Sequence, residues 1–305
     1  MARAAWQTAT MIDAIPSRTA AFVAAARSFG ALLPAAARLI DDPYGVRFAA
    51  RGRFEPTPPT LAVRHVAPLR SWVLYMQVRT RVLDDALVRF VAEGGRQVVL
   101  LGAGYDARAL RFAELLRDSR VFEVDHPATQ GHKRRVLARG GLSAPAVRYV
   151  TWDFEERPLA ELGAALGAAG HDPAQPTLTI WEGVTMYLTP RAIDASVRAI
   201  RGWSGPGSAL AITYVTRDAI ERPGLTVRAT RAMVHAIGEP WRFGWNPGEL
   251  APYLDARGFA LRSDASIADE AVRLLPPRFA RGVGRLGQRI AVGTSGESIA
   301  VAATT

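Results

Sequence analysis

Four short segments of this chain carry the residue types from which a ligand with ribose and base groups can be held. The first is Leu101-Gly102-Ala103-Gly104-Tyr105-Asp106. Its glycines let the backbone approach a ligand closely, and the helix start behind them favours negative charge. The second is Asp125, about twenty residues beyond the glycines, where a carboxylate can accept both hydroxyls of a ribose. The third is Asp153-Phe154, an acceptor for an adenine amino group beside a ring that can flank the base. The fourth is Glu182-Gly183, where the amino-acid portion of a cofactor would lie. Any one of these acids reads equally well as a helix cap. Three of them at successive strand ends form a constellation that capping does not explain. Ala107 stands where a dinucleotide fingerprint would have its third glycine. The loop therefore suits a cofactor without a pyrophosphate, although NAD and S-adenosylmethionine both carry the ribose that Asp125 would hold.

Each of these segments follows a short apolar run. The runs are Gln97–Leu101, Arg120–Val124, Val147–Trp152 and Thr177–Trp181, with a fifth at Ser208–Val215. Continuous apolar runs of that length predict buried parallel strands. Helical patterns fit between them, at roughly 106–117 and at 189–202 after Thr189-Pro190. Phe259–Arg262 and Ser298–Ala302 are candidate late strands. The pattern predicts a doubly wound α/β sheet with helices on both faces, whose ligands lie beyond the carboxyl ends of the strands.

Residues 1–95 read as an N-terminal helical cap, and 96–305 as the ligand-binding core. Within the cap, residues 70–93 carry the strongest amphipathic pattern, with Trp72, Tyr75, Val78, Val82, Leu87 and Phe90 at spacings of three and four. Residues 216–250, between the fifth and sixth strands, are irregular and hold Met233, His235, Trp241, Phe243 and Trp245. They read as a lid or pocket segment, since long irregular connections in compact domains are often functional.

Composition narrows the function classes. The 305 residues are 49% hydrophobic and contain no cysteine, which excludes disulfides, thiolate–metal sites and cysteine nucleophiles. No metal-ligand spacing occurs, and no apolar run approaches the length of a membrane span. With no signal-peptide pattern at the N-terminus, a cytoplasmic location is expected. The net charge of +10 raises the possibility of a nucleic-acid partner. The basic residues are scattered arginines, however, and Lys133 is the single lysine. The densest cluster, His132-Lys133-Arg134-Arg135, fits a solvated helix face better than a binding patch. No nucleic-acid or membrane partner is expected, and the charge excess favours an anionic small substrate.

The runs VVLLGAGYDARALRF (98–112), VFEVDHPATQGHKRRVL (121–137) and DPAQPTLTIWEGVTMYLTP (172–190) resemble the leucine carboxyl methyltransferase-like family. Shorter matches occur in the same order at Ser17–Ala20, Asp41–Tyr44, Val78–Arg81 and Glu239–Trp241. That resemblance implies a Rossmann-like seven-stranded sheet with the last strand antiparallel, S-adenosylmethionine as cofactor and S-adenosylhomocysteine as product. It implies that Gly102, with Gly104 in the same loop, lines the methionine side of the cofactor. Asp125 would hold the ribose hydroxyls, Asp153 and Phe154 would meet the adenine, and Glu182 would sit near the amino group. Arg79 would pair with the cofactor carboxylate, as a planar guanidinium suits bidentate binding, and Arg27 is the candidate for a further upstream basic residue. Many bacterial members are methyltransferases, some acting on polyketides.

Methyl transfer to oxygen places different demands on different acceptors. A carboxylate is already ionised and needs only orientation, for which Tyr187 and Tyr214 are candidates. A phenol benefits from a base, and His235 in the lid is the candidate. The expected function is an O-methyltransferase acting on a small-molecule carboxylate or phenolic hydroxyl, anionic or aromatic. The alternatives are a protein C-terminal carboxyl methyltransferase, a non-catalytic nucleic-acid-binding protein and an NAD-dependent oxidoreductase. The missing third glycine counts against the last.

Overall fold

The computed structural model describes residues 17–49, 66–224, 227–228, 241–283 and 286–296. Their centre is a seven-stranded sheet of order β3-β2-β1-β4-β5-β7-β6. The strands are β1 Gln97–Leu101, β2 Arg120–Asp125, β3 Val147–Thr151, β4 Thr177–Trp181, β5 Ala209–Val215, β6 Ala260–Ser266 and β7 Gln288–Thr294. β1 to β5 run parallel, and β7 lies antiparallel between β5 and β6. This is a Rossmann-like arrangement of the methyltransferase type, and its strand order reverses between β1 and β4. The crevice outside the strand ends at such a reversal is the expected ligand position.

The helices are α1 Arg18–Ser28, α2 Gly45–Ala49, α3 Ala67–Ala92, α4 Arg108–Arg111, α5 Pro127–Arg139, α6 Leu162–Ala168 and α7 Pro190–Gly202. They continue with α8 Arg217–Glu221, α9 Leu250–Asp255, α10 Ile267–Leu274 and α11 Pro277–Ala280. Several begin on the expected signals. Ser17, Thr189 and Ser266 cap α1, α7 and α10 through their hydroxyls, and Pro127 and Pro190 occupy first turns. Among the described residues no helix is long and apolar enough to cross a membrane.

The period-2 alternation of the strands divides the core between the two faces of the sheet. Val98, Leu100, Leu178, Ile180 and Ala211 pack with α3, whereas Val99, Leu101, Phe122, Trp181, Leu210 and Ile212 pack with α7. α3 is more deeply buried than a one-faced amphipathic helix. Every residue from Val73 to Thr80 is buried, because α1 covers one side and the sheet the other. Gln77 survives there because its Oε1 accepts the backbone N–H groups of Leu39 and Ile40, at 2.9 and 3.1 Å. The N-terminal helices thus share one hydrophobic core with the sheet.

Three expectations need correction. The helix expected at 106–117 is only the single turn α4, followed by turns to Asp118. Both arginines of that turn reach Asp84 on α3, which ties the stretch to the neighbouring helix. The last strand is Gln288–Thr294, and residues 298–302 lie outside the described residues. The observed run is interrupted by Arg289 and Gly293, so it does not read as a strand. Asp264 on β6 meets the arginine, and the Phe259 side chain packs against the glycine. The third correction concerns the basic cluster. Arg134 and Arg135 are exposed, but Lys133 is buried, on the face of α5 that carries Thr129, Gln130 and Leu137. In the segment 216–250, the side chains of Trp241 and Trp245 are core. Trp241 packs with Met186, Val215 and Val227, and Trp245 meets Tyr214 edge-on at 5.6 Å. Met233 and His235 lie outside the described residues.

Candidate functional site

The loop after β1 folds back over the end of β2. The N–H groups of Gly102 and Ala103 both donate to the carbonyl of Val124, at 2.9 and 3.0 Å. Gly102 and Gly104 take φ of 72° and 52°, a region that side chains disfavour. A Cβ on Gly102 would come within 2.9 Å of the Val184 side chain in the loop after β4. The glycines therefore serve a real turn and bring the exit loops of β1 and β4 together across the topological switch.

The carboxylate of Asp125 anchors this loop. It accepts the N–H of Gly104 on one oxygen and the N–H of His126, at 2.7 Å, on the other. Burial pushes the Asp125 carboxyl up from the usual range, against the pull of those two N–H groups. Each oxygen keeps a lone pair, which is what two ribose hydroxyls require. His126 joins Asp125 to Asp153. Its Nδ1 accepts the N–H of Ala128, so Nε2 carries the proton and faces Asp153 Oδ2 at 3.4 Å. The other Asp153 oxygen accepts the N–H groups of Glu155 and Glu156, at 2.9 and 3.2 Å. Phe154, half-buried, packs against the α7 side of the core. The two acids expected at the ribose and the adenine are thus adjacent and linked through one histidine.

Glu182 sits at the centre of an alternating array of charges. Arg79 Nε donates to its Oε1 at 2.8 Å, and both Nη groups of Arg108 donate to its Oε2 at 3.0 Å. Arg108 is in turn held by Asp84 at 2.9 Å and by Asp106. Arg27 pairs with Asp42 at 2.9 Å and donates to the carbonyl of Tyr105 in the glycine loop at 2.5 Å. Burial raises the Glu182 carboxyl, but Arg79, Arg108 and Arg27 together outweigh it and hold the group at about 2. Arg79 thus reaches Glu182 through Nε, so its Nη edge remains for an anionic group. Two guanidiniums on one carboxylate, with the charge of Arg27 felt from its place on Asp42, fit the zwitterionic amino-acid end of S-adenosylmethionine, with the Arg79 Nη edge for its carboxylate and Glu182 for its amino group.

A depressed carboxyl contributes stability that is complete above its unfolded value, about 4.3, and disappears on acidification. For Glu182 that loss falls as the pH drops through about 2. Melting temperatures taken from pH 5 to 2 are expected to fall less steeply in Glu182→Gln than in the wild type. Parallel curves would show that Glu182 is not held low by its arginines.

The catalytic candidates fall in different places. Tyr187 follows β4 in a single 3-10 turn, half-buried against Met186 and Trp241. The strand exit that carries it is pinned to β5, since Gly183 N–H donates to Thr213 Oγ1 at 2.7 Å and Thr185 Oγ1 donates to the Thr213 carbonyl at 2.8 Å. Tyr214 is fully buried, and its hydroxyl donates to Asp264 at 2.6 Å, with Arg289 on the other oxygen of that carboxylate. The structure therefore joins Tyr214 to β6 and β7 and not to Tyr187. His235 lies outside the described residues.

Several residues at the site were not singled out from sequence. Arg108, Asp84 and Asp106 complete the array around Glu182, but in the sequence they read as ordinary helix-surface charges. Lys133 donates to Glu123 at 2.7 Å, away from water, and to the Asp106 carbonyl at 2.6 Å. Burial raises the Glu123 carboxyl, and Lys133 pulls against it. This pair connects β2, just ahead of Asp125, to the end of the glycine loop. One signal was available. A chain whose other basic residues are all arginine keeps a lysine here.

The family model for leucine carboxyl methyltransferase matches residues 20–201, which contain every part of this site from Arg27 to Glu182. The chain belongs to the leucine carboxyl methyltransferase family. A Frankia alni protein, provisionally named an S-adenosyl-L-methionine-dependent methyltransferase, is 39% identical over 188 residues, covering 60% of this chain and 64% of that protein. The chain thus spans somewhat less than two thirds of that relative's length. A Mycobacterium sp. (strain JLS) protein with the same provisional name is 36% identical over 230 residues, 70% of this chain and 71% of that one. Among solved structures, a provisionally named methyltransferase from Thermobifida fusca shares the fold with a TM-score of 0.54 at 20% identity, covering 87% of this chain and 96% of that chain.

Proposed function

We propose that the protein is an O-methyltransferase that esterifies a carboxylate, the acceptor being a small acid of the kind found in polyketide-type secondary metabolism. The observation that supports the cofactor is the pairing of Arg79 and Arg108 with Glu182 at the exit of β4, together with the Asp125–His126–Asp153 link at the exits of β2 and β3. Bound S-adenosylmethionine would supply a sulfonium methyl group open to in-line attack by an acceptor oxygen, with S-adenosylhomocysteine as the leaving group. The chain's own part is to orient and to exclude water. Gly102 and Gly104 allow close approach, Asp125 receives the ribose, and Asp153 with Phe154 receives the base. Arg79 receives the carboxylate through its Nη edge while Glu182 fixes its Nε. Tyr187, on the pinned exit of β4, is the candidate to orient the acceptor.

A carboxylate arrives already ionised, so this reading asks for no base. A phenol would call for one, and His235 is the candidate for that role. His235→Ala is expected to leave esterification of acids unchanged, with turnover of phenols reduced if they are accepted at all. The family's own description favours a second acceptor of the same chemistry, the C-terminal carboxyl of a protein. Calorimetry with S-adenosylmethionine, S-adenosylhomocysteine and NAD, followed by methyl transfer to panels of small acids, phenols and leucine-terminated peptides, tests these readings. The first two ligands are expected to bind, NAD is not, and small acids are expected to be the best acceptors. A preference for the peptides would move the acceptor to the second reading. Failure of both adenosyl ligands to bind a folded protein would overturn the reading altogether.

A further inference from the structure

α3 enters β1 from its C-terminal end, through Gly94-Gly95, while Arg79 reaches Glu182 beyond the opposite end of β4. The residues ahead of Arg79 therefore stand past the strand ends, on the side where ligands bind. Trp72 lies about 10 Å further along the helix than Arg79, given the rise per residue. It forms a column with two other rings. Tyr75 stacks on it with centroids 5.5 Å apart and planes 9° from parallel, and Phe22 of α1 stacks on it at 5.5 Å and 18°. Phe22 is 46% exposed, one of few large apolar side chains in the described residues that reach solvent.

This column is poorly satisfied by the protein itself. Among the described residues, Trp72 Nε1, Tyr75 Oη and Thr19 Oγ1 are buried without a hydrogen-bond partner, and such groups are rare in folded proteins. Tyr75 is 1% exposed, and the Arg79 guanidinium lies against its oxygen as a donor, which leaves the hydroxyl's own proton without an acceptor among the described residues. Two unspent donors on stacked rings next to a guanidinium call for an acceptor that is flat, anionic and two-oxygened.

We propose that Tyr75, Trp72 and Phe22 form the acceptor subsite, and that its ligand is a planar aryl carboxylate. The Tyr75 hydroxyl and the Trp72 indole N–H donate to the carboxylate, and the aryl group packs along the edge of the column beside the exposed Phe22 ring. The assignment rests on the methyl-transfer reading for its purpose, though not for the binding itself. A neutral phenol offers the two donors a single oxygen and no charge, and it binds less well.

The test is calorimetric titration of 2-naphthoate and 2-naphthol into the full chain saturated with S-adenosylhomocysteine. 2-Naphthoate is expected to bind at least about tenfold more tightly than 2-naphthol, as charge-assisted hydrogen bonds are the stronger. Tyr75→Phe and Trp72→Phe each keep a ring and remove one donor. Each is expected to weaken 2-naphthoate about tenfold, with S-adenosylhomocysteine affinity and melting temperature held or the latter raised. Undiminished 2-naphthoate binding in both variants, or none in the wild type, overturns the subsite. A parallel loss of S-adenosylhomocysteine binding in Tyr75→Phe also overturns it, since Tyr75 would then belong to the cofactor's site. Naphthoate binding that responds to both substitutions, in a protein that methylates no acid, leaves the subsite standing and removes the methyl-transfer reading instead.

Discussion

Asp125→Ala is expected to weaken S-adenosylhomocysteine by roughly a hundredfold or more, read as a dissociation constant by calorimetry, since two hydrogen bonds to a charged group are worth about 1.5–3 kcal/mol each. Part of the effect is indirect. The same carboxylate holds the Gly104 and His126 N–H groups, so its removal also loosens the loop and the histidine that faces Asp153. Asp125→Asn separates the two contributions. It keeps one acceptor oxygen but has no charge, and an intermediate loss of about tenfold is expected. An alanine variant that binds S-adenosylhomocysteine as the wild type does would remove Asp125 from the cofactor's site.

Lys133→Met is expected to cost about 3–5 kcal/mol of stability, because it strands a buried carboxylate. Glu123 and Lys133 are each 2% exposed, and among the described residues no other cation reaches that carboxylate. The melting temperature should fall by roughly 6–20 °C, at about 2–4 °C per kcal/mol for a large domain. Lys133→Arg is expected to be destabilising as well. A planar fork cannot satisfy the Glu123 carboxylate and the Asp106 carbonyl from one compact ammonium position. The double replacement Lys133→Met with Glu123→Leu should recover much of the loss, since an apolar pair is often no worse than a buried ionic one. A single Lys133→Met variant that melts with the wild type would show that the pair is solvated.

Residues that sit where the backbone pattern changes are legible in the sequence. Gly102, Asp125, Asp153 and Glu182 each follow an apolar run, and a parallel sheet carries the ends of such runs to one edge. The first five strands are legible for the same reason. β7 is not, because what makes it a strand lies elsewhere: Asp264 neutralises Arg289, and Phe259 fills the space beside Gly293. Arg108 and Asp84 are invisible for a similar reason. Their charges are consumed by partners 74 and 24 residues away from Arg108, at Glu182 and Asp84. Tyr214 shows what position alone leaves out. Its position at the end of β5 suggests a reacting group, but its partner Asp264 comes from a strand that periodicity does not place beside it.

The position of β7 also bears on how the chain acquires its shape. Strand β6 pairs with β7 alone, and β5 has β7 as its outer neighbour. A nascent chain that has emerged through Ser266 therefore carries two strand edges that β7 alone will cover, one of them the side of a finished five-stranded sheet. Until Gln288–Thr294 arrives, that side is open to other chains, and unpaired edges are where aggregation starts. Ribosome release that stops short of β7 should yield insoluble product, whereas the same sheet closed by its late-arriving middle strand has only β3 and β6 at its borders.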